Sequence, residues 1–344
     1  MGENVKGFSA TEKRGNALSF IRLLSALRII FGHLVPHMEL SCPRWLMSAI
    51  GYFSGVSVFF ILSGYLIWFS AGRSQSYGHY LKKRFFRIYP ELWVGIAIEI
   101  ISILIFYKDW ELKSLFAFTV TQGPFLQFWT PDSLRGYGCG TPNGTLWTIC
   151  AMVQFYLVAW FMHKFLNKKK MIIWIGGFVF LVAVSVLGNL VAEKTGVAII
   201  VKLFGQTIFR YLWLFYIGCF VAEFKDKLIE ILSKCWYLFI IIGLVPFLTN
   251  TDIFAGYNVF RAIFLGFGVI GFAYRFPKLE IKTDISYGLF IYHMIIANVF
   301  ISLGLTGKWL YAGAVFAISC IFAYISTVTV GKWASGKKNK AVKL

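Results

Sequence analysis

Apolar runs close to 20 residues long, repeated along the whole chain, constrain this protein more than any other sequence feature. Hydrophobic residues make up 58% of the sequence and charged residues 14%, whereas a soluble domain carries about 25% charged residues. A run of about 20 apolar residues matches the thickness of the hydrocarbon core of a bilayer. We therefore predict about ten transmembrane segments, at residues 17–36, 48–69, 92–107, 146–163, 171–191, 206–223, 236–250, 256–275, 285–303 and 309–331.

These segments are predicted to be helices, because a membrane β-barrel would show shorter stretches of alternating polarity. The expected fold class is an all-α integral membrane protein in which residues 1–344 form a single membrane domain. Within it, residues 332–344 are expected to form a basic cytoplasmic tail. The apolar stretch at 112–129 follows charged residues and is interrupted by Gly123 and Pro124. It is predicted to be an interfacial or re-entrant part of a long outer loop.

The distribution of basic residues predicts that both chain ends lie in the cytoplasm. With ten spans and an inner start, 23 lysines and arginines fall on the inner side and seven on the outer side. This asymmetry follows the positive-inside rule and predicts a multi-pass protein of the inner (plasma) membrane. The formal charge of +19 is spread over several loops, so nucleic acid is not an expected partner.

The spacing of the cysteines and the sequence before the first apolar run support further predictions. None of the six cysteines shows CxxC spacing, so no metal site is predicted. Cys42 and Cys139 both fall in predicted outer loops, where an oxidising exterior would permit a disulfide; two free thiols are the equal alternative. The first apolar run follows a polar stretch and has the length of a span, so it is predicted to remain as the first helix.

Ionisable residues inside the first segment are the strongest indication of chemistry, because charges within a bilayer are costly. Arg22 and His33 are 11 residues apart, which places them about 20° apart around a helix and about 16 Å apart along it. They should share one face. Histidine suits proton transfer near neutral pH, although a packed hydrogen-bonding histidine is the alternative. Arg28 points elsewhere, and His37 lies at the outer boundary.

A basic cluster follows the second segment. Lys82, Lys83, Arg84 and Arg87 lie in the run YLKKRFFRIYP, at the predicted cytoplasmic face. Two guanidinium groups one helical turn apart can hold phosphates in bidentate fashion. Charges that only set the topology would account for the lysines without requiring both arginines.

Five motifs, in order along the chain, resemble those of the acyltransferase-three family of membrane O-acyltransferases. They are the Arg22–His33 pair, GVSVFFILSGYLI, RIYP at residues 87–90, NGTLWTICAMVQFYL at 143–157 and SYGLFIYH at 286–293. Members of that family move acyl groups, usually acetyl from acetyl-CoA, onto hydroxyl groups of polysaccharides, peptidoglycan, lipid-linked glycans or small molecules.

The resemblance implies roles for individual residues. His33 and Arg22 match the family's essential pair, and Arg84 and Arg87 match its cytoplasmic arginines. Met152 stands where the family commonly has Glu, which puts a catalytic role for that carboxylate in doubt. The expected substrate-binding residues are Trp147, Gln154, Tyr156, His293 and Ser63.

From these features we expect an O-acyltransferase. It would transfer an acyl group, expected to be acetyl, from cytoplasmic acetyl-CoA to a hydroxyl of an envelope glycan or lipid-linked sugar. Membrane lipid is a further expected partner. Arg84 and Arg87, with Lys82 and Lys83, would hold the CoA phosphates. His33 would act as general base or carry the acyl group itself.

Arg22 and His293 also have expected roles, and two other functions are alternatives to acyl transfer. Arg22 would orient the thioester or stabilise negative charge. His293 is a secondary candidate, for which a packed role is favoured. The alternatives are a transporter or flippase of glycans or lipids, and a non-catalytic scaffold derived from the family. The sequence leaves the oligomeric state open.

Overall fold

A computed structural model describes residues 15–124, 126–249 and 258–340. Within these residues all regular structure is helical. The helices are α1 Leu18–His37, α2 Arg44–Tyr52, α3 Gly55–Gly72, α4 Tyr77–Phe106, α5 Leu112–Gln122, α6 Trp147–Leu166, α7 Met171–Lys194, α8 Ala198–Phe204, α9 Ile208–Glu223, α10 Lys225–Leu248, α11 Val259–Arg275, α12 Ser286–Ser302, α13 Trp309–Ser326 and α14 Lys332–Lys340. The predicted all-α class of integral membrane protein is confirmed.

Eight helical stretches among the described residues are long and apolar enough to cross a membrane. They are Leu18–His37, Arg44–Gly72, Tyr77–Phe106, Trp147–Leu166, Met171–Lys194, Ala198–Glu223, Lys225–Leu248 and Trp309–Lys337. The other two predicted segments correspond to α11 and α12, which have 17 residues each. Nine predicted segments therefore each fall on one helix, and segment 48–69 is divided between α2 and α3. Ten crossings and cytoplasmic ends stay predictions.

Several helices extend beyond the predicted segments. The largest difference is α4, which begins at Tyr77 instead of residue 92, because the Ser76 side chain accepts a hydrogen bond from the His79 amide at 3.2 Å and caps it. The basic cluster consequently lies inside α4 and not in a preceding loop. The predicted tail is helical from Lys332 to Lys340; residues 341–344 lie outside the described part, as do the first 14 residues and the predicted segment start at 256.

Helix α3 lies in the largest core and packs closely against α9. Gly64 of α3 faces the backbone of Phe215, and Gly218 of α9 faces the backbone of Ile61. A Cβ atom at either glycine would overlap the opposite backbone. Small residues are what allow membrane helices to approach so closely, so this contact holds the centre of the bundle together.

Helix α5 is anchored against α4, while the choice between an interfacial and a re-entrant position stays a prediction. Its C-terminal end is joined to the middle of α4, where the Tyr89 hydroxyl donates to the Pro124 carbonyl at 2.8 Å and the Trp93 indole donates to the Gly123 carbonyl at 3.2 Å. These two bonds satisfy the carbonyl groups of the turn that follows α5.

The loop after α5 returns along α12. The Asn143 amide donates to the Ile291 carbonyl at 2.9 Å, and the Asn298 amide donates to the Pro142 carbonyl at 2.6 Å. Since these carbonyls and amides are buried, the loop is an integral part of the bundle.

The possible disulfide between Cys42 and Cys139 is not formed, and both residues are free thiols. Each sulfur faces a carbonyl of its own loop: Cys42 Sγ lies 3.9 Å from the Pro43 oxygen and Cys139 Sγ lies 3.7 Å from the Thr141 oxygen. Burial raises the pKa of the Cys139 thiol, which disfavours the thiolate needed for disulfide formation.

Candidate functional site

A cavity inside the bundle brings together three of the predicted site arginines. Arg22 of α1 and Arg84 and Arg87 of α4 line it, with Ser63 of α3 and Tyr156 of α6. The rest of the wall is mostly apolar and includes Ile29, Phe59, Met152 and Phe290. Three guanidinium groups in an otherwise apolar cavity make a binding site for an anionic or strongly polar group.

Arg22 is held by an acidic residue that the sequence analysis did not select. Its Nη2 atom lies 2.6 Å from Asp284 Oδ2. Asp284 also accepts a hydrogen bond from the Ser286 amide at 3.0 Å, at the start of α12. This second bond fixes the carboxylate, which in turn orients the guanidinium. The available signal was a lone carboxylate directly before the SYGLFIYH motif.

The two arginines of α4 have different partners. Arg84 donates to the Ser70 hydroxyl at 2.9 Å, and its guanidinium lies 5.6 Å from the centre of the Tyr156 ring. Arg87 lies 3.8 Å from the Glu91 carboxylate and 5.2 Å from the centre of the Tyr287 ring. Since the Glu91 contact is long and both aromatic contacts are with ring faces, the guanidinium groups retain donors for a ligand.

The neighbouring lysines divide between two environments. Lys83 is buried and its ammonium donates to the Ser74 hydroxyl at 3.4 Å. Lys82 is exposed. Neither lines the cavity that the three arginines share, so any contribution they make to binding is at its margin.

His33 is paired with His293, which the sequence analysis ranked second. His33 Nδ1 lies 3.0 Å from His293 Nε2. His293 is fully buried, and its Nδ1 lies 2.9 Å from the Leu289 carbonyl oxygen. His37 is exposed, and its ring centre lies 6.2 Å from that of His33.

The histidine pair lies beside the arginine cavity and not on its wall. Ile29, one turn before His33 on α1, and Phe290, nearly one turn before His293 on α12, both line the cavity. The helix face that Arg22 and His33 were predicted to share therefore does not form one continuous cavity wall. Arg22 contributes to the wall, while His33 lies about one helical turn beyond Ile29.

The predicted residues of α6 have separate roles. Tyr156 faces the cavity. Trp147 packs with its ring centre 5.3 Å from that of Tyr211. Gln154 is a bridge to the start of α9: its amide donates to the Gln206 carbonyl at 2.8 Å and its oxygen accepts from the Ile208 amide at 2.8 Å. The structure therefore gives Trp147 and Gln154 packing and capping contacts. Met152, in contrast, places an apolar thioether on the cavity wall.

A second, lateral groove lies between α4, the end of α5 and α6, and shares Arg84, Ile88 and Tyr156 with the arginine cavity. Trp93, Val120 and Leu157 also line it, and each is exposed on the surface of the bundle. The groove is thus an apolar channel on the lipid-facing side with a guanidinium group at its inner end.

Comparison with known proteins assigns this arrangement to a class. The model of a family described as an acyltransferase domain, acyltransferase three, matches residues 16–328. With its apolar helices, the protein is a membrane acyltransferase. The chain belongs to the acyltransferase-three family, as the sequence motifs predict.

Two relatives are informative. The chain is 26% identical over 320 residues to nodulation protein 10 of Rhizobium leguminosarum bv. viciae, with 86% of each chain covered. It is 29% identical over 122 residues to the peptidoglycan O-acetyltransferase OatA of Listeria monocytogenes serovar 1/2a, covering 32% of this chain and 19% of that protein. No solved structure matches significantly.

Proposed function

We propose that this protein transfers an acyl group, acetyl in the simplest case, from a cytoplasmic acyl-CoA to a hydroxyl group of an envelope glycan or lipid-linked sugar. The observation that carries this proposal is the convergence of Arg22, Arg84 and Arg87 on one cavity that ends about one helical turn from the His33 and His293 pair. The peptidoglycan O-acetyltransferase named above supports acetyl transfer.

The arginines would hold the donor. Arg84 and Arg87 lie near the start of α4, at the predicted cytoplasmic side, and guanidinium groups bind phosphates through paired charge-assisted hydrogen bonds. Lys82 and Lys83 add positive charge nearby. In this proposal the acetyl-CoA phosphates stay at that end of the cavity, and the thioester arm extends along the apolar wall toward His33.

His33 would then activate the acceptor. The hydroxyl gives its proton to a nitrogen of His33, its oxygen bonds to the thioester carbonyl carbon, and the carbon–sulfur bond breaks. The CoA thiolate leaves and takes up the proton from His33. In the two-step form, His33 itself first carries the acyl group and the hydroxyl displaces it. In both forms Arg22, which lies on the cavity wall with Arg84 and Arg87, orients the thioester arm.

The lateral groove supports an acceptor that is attached to a lipid. The lipid chain of such an acceptor would occupy the apolar channel between Trp93 and Leu157, in contact with the bilayer. A lipid-linked sugar supplies such a chain. A free polysaccharide would use only the polar part of the site.

The test measures transfer from radiolabelled acetyl-CoA to an envelope extract by protein reconstituted in nanodiscs. Replacing His33 with alanine should lower transfer by about 10² to 10⁴-fold, the usual contribution of a general acid–base or nucleophilic group. His37→Ala is the matched control, since this histidine is on the same helix but exposed, and it should retain near wild-type transfer. Normal transfer by the His33→Ala protein would refute the mechanism, and absence of labelled product with the wild-type protein across glycan and lipid fractions would refute the function.

A further inference from the structure

The geometry of the two histidines is that of a directed hydrogen bond and not of stacked rings. Their ring planes are 3° apart and their centres 5.3 Å apart, while the joining nitrogens are only 3.0 Å apart. Nearly parallel rings whose edge atoms are much closer than their centres lie end to end in almost one plane. The hydrogen of one ring therefore points at the lone pair of the other.

A backbone carbonyl sets the direction of this bond. Leu289 O can only accept, so the His293 Nδ1 atom at 2.9 Å must carry a hydrogen. His293 is completely buried, where an uncompensated imidazolium would be costly, so its ring is neutral and Nε2 has the free lone pair. The His33 Nδ1 atom is then the donor to His293, and in the neutral His33 ring the lone pair is on Nε2.

We propose that His293 is a positioning residue that locks His33 in the tautomer with a basic Nε2, and so directs that nitrogen toward the acyl group and the acceptor. This inference rests on the proposed function. The part of the chain that the structure describes gives His33 Nε2 no hydrogen-bond partner, and His33 is only partly buried. The nitrogen that the network makes basic is thus the one left open for a substrate.

The arrangement also accounts for the charge that forms during the reaction. When His33 Nε2 accepts the hydroxyl proton, the resulting imidazolium keeps its Nδ1 hydrogen bond to His293 Nε2 and through that ring to the Leu289 carbonyl. The proton stays on His33, and His293 remains neutral. A neutral second ring replaces the carboxylate that orients histidine in many hydrolases, and it avoids a further charge within the membrane.

The test compares two substitutions of His293. Glutamine can place its side-chain oxygen near the position of Nε2 and accept from His33, whereas leucine fills similar space without an acceptor. His293→Leu should lower kcat by about 10²-fold, within the range of general acid–base catalysis, with an unchanged KM for acetyl-CoA because the arginines remain. His293→Gln should stay within about tenfold of the wild-type kcat, since it restores the acceptor. A merely structural role would not be rescued in this way.

A second readout does not depend on activity. In nanodisc-embedded protein labelled with 15N-histidine, the His33 signals should report the Nδ1–H tautomer in the wild-type and His293→Gln proteins and a mixture of tautomers in His293→Leu. His37→Leu is the control and should leave the His33 signals unchanged. An unchanged His33 tautomer in His293→Leu, or a kcat for His293→Gln as low as that for His293→Leu, would overturn the inference. If the wild-type protein transfers no acyl group while the tautomer still depends on His293, the proposed function fails and the coupling of the two rings stands.

Discussion

At the residue scale, the ion pair with Asp284 orients the guanidinium group of Arg22. The 2.6 Å contact occupies one edge of the guanidinium, and a guanidinium has five donors in a fixed plane, so the other edge is free to face the cavity. Fixing the carboxylate through the Ser286 amide makes this orientation independent of substrate. The ion pair therefore prepares Arg22 to orient the acyl donor instead of neutralising its charge completely.

Replacing Asp284 with asparagine should keep the hydrogen bond from the Ser286 amide and lose the charge. We expect kcat/KM for acyl transfer to fall by about 10- to 100-fold, since hydrogen bonds to charged groups contribute about 1.5–3 kcal/mol. Glu230→Gln is the control, because Glu230 pairs with Lys234 at 2.7 Å on the exposed face of α10. Steady-state kinetics of both variants checks this. Equal activity of the Asp284→Asn and wild-type proteins would show that Arg22 does not need its partner.

The sequence could predict part of this site because part of it is local. Arg22 and His33 are conspicuous as charged or titratable residues in an apolar helix, and helical periodicity places them on one face. The pairing of His33 with His293 spans 260 positions, and only the packing of α1 against α12 creates it. Periodicity also cannot show that Ile29 and Phe290 separate the histidines from the arginine cavity.

At the scale of helices, the contact between α3 and α9 should be the most sensitive to small changes. Gly64→Ala would drive a methyl group into the Phe215 backbone, and overpacking in a dense interior costs about 1–3 kcal/mol. We expect a lower unfolding temperature in detergent, measured by differential scanning fluorimetry. Gly176→Ala on α7 is the control, because nothing lies within 4 Å of its added Cβ. If Gly64→Ala is as stable as the control, the helices adjust without cost.

The C-terminal end of α5 should control access through the lateral groove. Tyr89→Phe removes the hydroxyl that donates to the Pro124 carbonyl, and a hydrogen bond of this kind contributes about 0.5–1.5 kcal/mol. We expect faster amide hydrogen exchange at residues 119–124 and a raised KM for a lipid-linked acceptor, with an unchanged KM for acetyl-CoA. Tyr237→Phe, on the exposed face of α10, should change neither. Unchanged amide exchange in the Tyr89→Phe protein would show that this hydrogen bond does not hold the end of α5 in place.

The helices themselves were more predictable than their ends. Apolar runs located all ten segments, because burial in lipid selects composition over the whole length of a span. The start of α4 was missed because Lys82, Lys83, Arg84 and Arg87 lower the local hydropathy although the chain there is helical. A hydropathy threshold cannot separate the end of a helix from the end of its apolar part.

At the scale of the whole molecule, the asymmetry of basic residues predicts which face of the bundle meets the cytoplasm. The 168–170 lysine run, between α6 and α7, is exposed and falls on the predicted inner side. Asp132, in the long loop between α5 and α6, has a side chain that is 98% exposed and falls on the predicted outer side. The two positions lie on either side of α6 along the chain, and α6 runs from Trp147 to Leu166.

Cysteine labelling in whole cells tests this orientation directly. In a variant whose native cysteines are replaced by serine, Asp132→Cys should react with a membrane-impermeant maleimide in intact cells, and Lys169→Cys should react only after the membrane is opened. Both positions are solvent-exposed, so a difference in labelling reports the side of the membrane and not burial. The same orientation places Arg84 and Arg87 toward the cytoplasm, where acyl-CoA is found. Labelling of both positions from outside would rule out the ten-span topology. Labelling of Lys169→Cys alone would show the opposite orientation, in which the arginines face away from their proposed donor.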